Sequence, residues 1–89
     1  MATKIVVYTG ENCGKCKRAK EMLTNTPPGH EVELIERNVD KSEFDKDFMI
    51  NVLESNTVPT FIINPESENN EVLRGFDENI GRIMKALGL

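Results

Sequence analysis

The feature that most constrains this chain is a junction. The run Ile5-Val6-Val7-Tyr8 is broken at Gly10-Glu11-Asn12 and followed at once by Cys13-Gly14-Lys15-Cys16. Four consecutive β-branched or aromatic residues predict a short strand over Thr3 to Thr9, buried on both faces, because a strand with one wet face would alternate. From Cys13 to about Thr24 the apolar Cys16, Ala19 and Leu23 recur at i, i+3 and i+7. Lys15, Lys17, Lys20 and Glu21 take other positions, which is the pattern of a helix with one dry face. A strand that feeds a helix through so short a turn places the turn outside its carboxyl end, where open α/β sheets usually carry their sites. Both cysteines of the chain lie there.

The remaining segments read as partners for that junction. Pro27-Pro28-Gly29 ends the helix. His30 to Val39 alternates Val32 and Leu34 with Glu31, Glu33 and Glu36, a strand with one wetted face that belongs near an edge. His30, in the turn before it, is expected to be exposed and without a role. Asp40 with Glu43 three residues later forms a capping-box pattern. The stripe Phe44, Phe48 and Val52, flanked by Met49 and Leu53, then predicts a second helix ending near Asn56. Val58 to Ile63 reads as a strand with Pro59 near its start, where a missing amide is tolerated. Asn64 to Asn70 is a turn, and Glu71 to Arg74 the returning arm of a hairpin. Ile80, Ile83, Met84 and Leu87 mark a terminal helix that Asp77 is placed to cap. The order is βαβ followed by ββα, an α/β fold with a four-stranded mixed sheet and helices on both faces.

Composition closes several other routes. At 89 residues the chain holds one domain, residues 1–89, with a thin core. Its 38% hydrophobic and 29% charged residues suit a soluble globular protein. A net charge of −4 disfavours nucleic acid as a partner, since phosphate backbones demand a basic footprint. No apolar run approaches the roughly 20 residues of a membrane span or the 7–15 of a signal-peptide core, so no membrane association and a cytoplasmic location are expected.

In a cytosolic chain, Cys13-Gly14-Lys15-Cys16 is more often redox-active or metal-binding than structural. A bridge across it closes so short a loop that it adds little to folding. Thiol–disulfide exchange needs a thiolate that solvent can reach. Cys13, at the helix start, has unpaired amides and the positive end of the dipole beside it, with Lys15, Lys17 and Arg18 in the first turns. Cys16 belongs to the buried stripe. Cys13 is therefore expected to attack a substrate disulfide and Cys16 to resolve the mixed disulfide. A closed zinc site is disfavoured, because four ligands are needed as a rule and His30 is the only histidine. A metal or iron–sulfur cluster shared between two chains through Cys13 stays open as a non-enzymatic alternative.

A Cys-x-x-Cys that opens the helix of a βαβ pattern in a chain of this length resembles the thioredoxin superfamily, and more closely the glutaredoxins. The likeness runs through Val6-Val7-Tyr8-Thr9, Cys13-Gly14-Lys15-Cys16-Lys17-Arg18-Ala19-Lys20, Thr57-Val58-Pro59-Thr60-Phe61 and Gly75-Phe76-Asp77-Glu78. The resemblance implies a thioredoxin-like fold and glutathione as co-substrate, with no tightly bound cofactor. It also implies disulfide-bearing protein substrates such as ribonucleotide reductase, and a monomer. It implies that Pro59 is cis and faces the cysteines, and that the backbone of Val58, after Thr57, pairs with substrate like an added strand. Gly75, Phe76 and Asp77 match the turn that receives the carboxylate of the γ-glutamyl arm, Tyr8 matches an aromatic beside the site, and Lys15 offers a cation. The chain departs from the family's pattern in four places. Gly10 stands where many members carry a basic residue, Gly14-Lys15 replaces the commoner Pro-Tyr, Arg74 replaces a frequent glycine, and Glu78 a common aspartate. Arg74-Gly75-Phe76 is also similar to glutaredoxin-like proteins that serve ribonucleotide reductase and are recharged by thioredoxin reductase.

Overall fold

The computed structural model describes residues 2–89. Strand β1 (Thr3–Thr9) lies inside the sheet, between β2 (Val32–Asn38), its parallel neighbour, and β3 (Thr60–Ile63), which runs antiparallel to it. The sheet ends at β4 (Glu71–Arg74), antiparallel to β3, so β2 is an edge as its wetted face requires. Helix α1 (Gly14–Thr24) crosses between the parallel strands and α2 (Glu43–Asn51) follows β2. A 3₁₀ turn at Asp77–Asn79 leads into α3 (Ile80–Ala86). Among the described residues no helix is long and apolar enough to cross a membrane.

The pleat divides β1 between two apolar layers. Ile5 and Val7 pack with Ala19 and Leu23 of α1, Phe61 and Ile63 of β3, and Ile83 and Leu87 at the end of the chain. Val6 and Tyr8 point the other way, toward Val39, Met49 and Leu53. The doubly buried strand and the stripe of Cys16, Ala19 and Leu23 stand as expected.

Four local expectations are corrected. Helix α2 is capped by Ser42, whose Oγ accepts from the Asp45 amide at 3.2 Å, and not by Asp40. The Asp40 carboxylate instead accepts from the Glu11 amide at 2.7 Å. The stripe buried by α2 is not Phe44, Phe48 and Val52; Met49 is its buried residue, with Leu53 buried just beyond its end, while Phe44 and Val52 are exposed. Successive helical residues differ by about 100°, so the 45/49/53 row lies one residue round from the 44/48/52 row, and two apolar rows competed for one core. Asp77 caps nothing, because the 3₁₀ turn starts the element early and leaves its side chain turned toward α1. His30 is half-buried, with Nδ1 2.6 Å from the Leu87 carbonyl oxygen, tying the end of α3 to the turn before β2.

Candidate redox site

The turn between β1 and α1 is built by three neighbours. Asn12 takes a left-handed φ of 56°, which asparagine tolerates, and swings the chain into the helix. Cys13 is then the extended N-cap residue, its Sγ accepting from the Cys16 amide at 3.1 Å. A disulfide joins Cys13 to Cys16 with their Cα atoms 5.3 Å apart. Cys13 is half-buried, whereas Cys16 is only 2% exposed, and no acidic residue lies in the first turn. The pair is unequal. The outer sulfur accepts an amide at the positive end of the helix, and the inner one lies among apolar neighbours. Gly10, Asn12, Cys13, Gly14, Cys16, Lys17 and Lys20 line a hollow of about 480 Å³.

Beside the turn lies the Thr57-Val58-Pro59 segment. A Cβ added to Gly10 would stand 3.1 Å from Asp40 Oδ2 and 3.4 Å from Val58 Cγ2, which is how closely the two loops approach. The Val58–Pro59 peptide bond is cis. Hydroxyl groups shape the segment from within. Thr60 Oγ1 donates to the Thr57 carbonyl at 2.6 Å and lies 2.7 Å from Ser55 Oγ, both residues being buried. Arg74 holds the preceding turn, where Glu54 has a φ of 52°, by donating to the carbonyls of Leu53 (2.7 Å) and Glu54 (3.2 Å). Its guanidinium is thus already engaged.

The third segment is tied to the second, as the Gly75 amide donates to the Pro59 carbonyl at 2.9 Å. Gly75 has a φ of 96°, and a Cβ there would lie 2.6 Å from the Glu78 carboxylate, so only glycine fits. The ring of Phe76 is buried 6.3 Å from that of Phe61 and leaves only backbone to the site. Asp77 reaches across to α1, 3.6 Å from Lys15 Nζ and 3.7 Å from Arg18 Nη2. Lys15 is thus tied to Asp77 and Gly75 to Pro59, and the turn that carries Cys13 and Cys16 runs beside Val58 at Gly10. Tyr8 joins them through the apolar cluster against which Val58 packs. Its ring stacks on Phe48 at 6.2 Å and lines a separate hollow, and burial raises its phenol above the usual range.

Sequence reasoning missed the supports. Ser55 and Thr60 were detectable in principle, because serine and threonine hydroxyls at short spacing often bond nearby backbone, and these flank Pro59. The Asp40–Glu11 contact spans 29 residues and has no local signal. The same is true of Glu36, whose carboxyl is held below its usual range by the Thr9 hydroxyl (2.7 Å) and then by Lys20 (3.0 Å). Among the described residues no group of three or more His, Cys, Asp or Glu side chains is placed to hold a metal ion.

Comparison with known proteins agrees with this geometry. A family model described as glutaredoxin matches residues 5–67. The crystal structure of a thioredoxin-like protein is 27% identical and superposes with a TM-score of 0.75, over 92% of this chain and 97% of that one. The structure of a malarial protein, 18% identical, superposes at 0.62 over 98% and 99% of the two chains. A solution structure of a thioredoxin from Thermus thermophilus, 16% identical, superposes at 0.54 over 94% and 72%. At such identities the last two speak for the fold alone, which is thioredoxin-like. Among curated proteins there is no significant match.

Proposed function

The chain belongs to the glutaredoxin family, and from that premise we propose that it is a glutathione-linked thiol–disulfide oxidoreductase. It acts as a monomer in the cytoplasm and reduces disulfides of proteins such as ribonucleotide reductase. The observation that carries this reading is the unequal burial of two joined cysteines at the start of α1. In the reduced enzyme the Cys13 thiolate attacks one sulfur of the substrate disulfide, forming a mixed disulfide and expelling the other sulfur as a thiolate, which takes up a proton. Cys16 gives up its proton and attacks Cys13 Sγ, closing the bridge seen here and releasing the second substrate thiol. Two glutathione molecules then reopen the bridge in two exchanges, leaving as glutathione disulfide, so the two electrons passed to substrate come from glutathione.

Glutathione lies between α1 and the two neighbouring segments. Its peptide pairs with the backbone of Val58, held by Thr57 and Pro59, and its α-carboxylate lies at the backbone of Gly75, Phe76 and Asp77 with Lys15 nearby. Tyr8 serves from beneath, as packing. A second reading, recharging by thioredoxin reductase, draws on specific contacts: Gly10 supplies no cation, Arg74 is held by two carbonyls, and Lys15 and Arg18 already face Asp77.

A coupled assay of NADPH consumption, with glutathione and glutathione reductase in one arm and thioredoxin reductase alone in the other, is expected to show turnover in the first. Turnover only in the second overturns the glutathione assignment. Cys16→Ser is expected to accumulate a mixed disulfide with glutathione by mass spectrometry and Cys13→Ser to form none. Equal loss in both removes the exchange mechanism.

A further inference from the structure

The stripe that α2 leaves out of the core is an unusual surface for so small a protein. Phe44 is 78% exposed and Val52 60%, and only Phe48, under the ring of Tyr8, is half-buried. Beside them Tyr8, Arg37, Ser42, Phe44, Asp45 and Phe48 line a hollow of about 380 Å³. Single exposed apolar residues are ordinary, but a contiguous apolar stripe beside a hollow marks a place where another surface sits.

The charges around the stripe say what kind of surface. At about 100° per residue, Asp45 flanks it on one side and Asp47, with Glu43 behind it, on the other. Among the described residues none of these three carboxylates forms an ion pair, which they share with Glu21, Glu31, Asp40, Glu54, Glu68 and Glu78, but these three border an exposed apolar stripe. The nearby cations, Arg37 in the hollow and Lys46 on the far side of the helix, do not pair with them either. A second copy of the chain would set these carboxylates against their own counterparts, which disfavours self-association. The loop that leads into α2 touches the redox turn: Asp40, two residues before the Ser42 cap, is the acceptor for the Glu11 amide.

We propose that the Phe44–Phe48–Val52 stripe docks the protein substrate, through a segment in which an apolar residue is flanked by lysine or arginine, while the disulfide of that substrate reaches Cys13. The proposal rests on the oxidoreductase reading and adds a partner chemistry to it.

The test uses two synthetic disulfide-bridged peptides with the same apolar core, one flanked by lysines and one by glutamates, and hydroxyethyl disulfide as a small uncharged substrate. At low salt the wild-type chain is expected to favour the lysine peptide by about tenfold in kcat/KM, and half-molar salt to shrink the preference as the Debye length shortens. Phe44→Ser is expected to lower turnover of both peptides about tenfold and to spare hydroxyethyl disulfide. Glu43→Gln with Asp47→Lys is expected to abolish the charge preference while keeping the fold, since both sites are exposed. Equal rates for the two peptides, or variants that behave as wild type, overturn the proposal. So does a dimer by light scattering that Phe44→Ser disperses, because a second copy then covers the stripe. Failure on all three substrates refutes the oxidoreductase reading itself.

Discussion

On the side of the sheet covered by α1 and α3, Ile5, Val7, Ala19, Phe61 and Ile83 are wholly removed from solvent, while Leu73, Phe76 and Leu87 keep a trace of exposure and Met22, Val32, Leu34 and Ala86 are partly buried at the margin. On the side covered by α2 alone, Val6, Tyr8, Val39, Met49 and Leu53 each keep a trace of exposure, and Ile35, Phe48, Val58, Ile62 and Val72 are only partly buried. The difference is one of supply: two helices close one face, and a single nine-residue helix cannot close the other. The cysteines open α1, a helix of the well-packed face, so the inner sulfur has a rigid dry bed. The loosely covered face carries the exposed side chains of Phe44 and Val52.

Three measurements break or sharpen that contrast. The largest effect is expected from truncating each core. Phe61→Ala removes a fully enclosed ring and should cost about 3–5 kcal/mol, while Met49→Ala, whose site can relax toward solvent, should cost about 2 kcal/mol, read by urea unfolding. Equal costs would mean that the two faces are packed alike. Next, Ser42→Ala deletes the α2 cap and is expected to cost about 1 kcal/mol. Amide exchange should quicken in α2 and not in α1; a uniform quickening would mean that α2 does not open on its own.

The smallest effect separates the faces by pH. Burial raises the Tyr8 phenol, with Asp45 adding to the effect and Arg37 opposing it. The unfolded chain therefore ionises first, and stability falls as pH climbs past the ordinary value of 10.0. Tyr8→Phe should flatten that alkaline limb. On the other face the Glu36 carboxyl is lowered, chiefly by the Thr9 hydroxyl, so its contribution is present above 4.5 and is lost as pH drops toward its folded value. Thr9→Val should weaken that acid limb and leave the alkaline one unchanged.

The same contrast explains what could be read in advance. The bounds of β1 and the stripe of α1 were legible because those elements bury one unambiguous apolar set against a full layer. On the thin face the rows Phe44/Phe48/Val52 and Met49/Leu53 both satisfied helical periodicity, and only tertiary placement chose between them. In the site, the cysteines announced themselves by spacing, and the segments around Pro59 and Gly75 by resemblance. The carboxylate of Asp40, the guanidinium of Arg74 and the pairing of Asp77 with Lys15 and Arg18 depend on residues 20 or more positions away. No local pattern encodes such contacts.

The crowding at Gly10 couples two loops. Position 10 faces Asp40 Oδ2 and Val58 Cγ2, and that same carboxylate secures the Glu11 amide. A side chain entering at position 10 presses on the acceptor that the redox turn is using. A substitution at position 10 is therefore felt at the Glu11 amide by way of Asp40, so two loops distant in sequence are coupled through a single hydrogen bond.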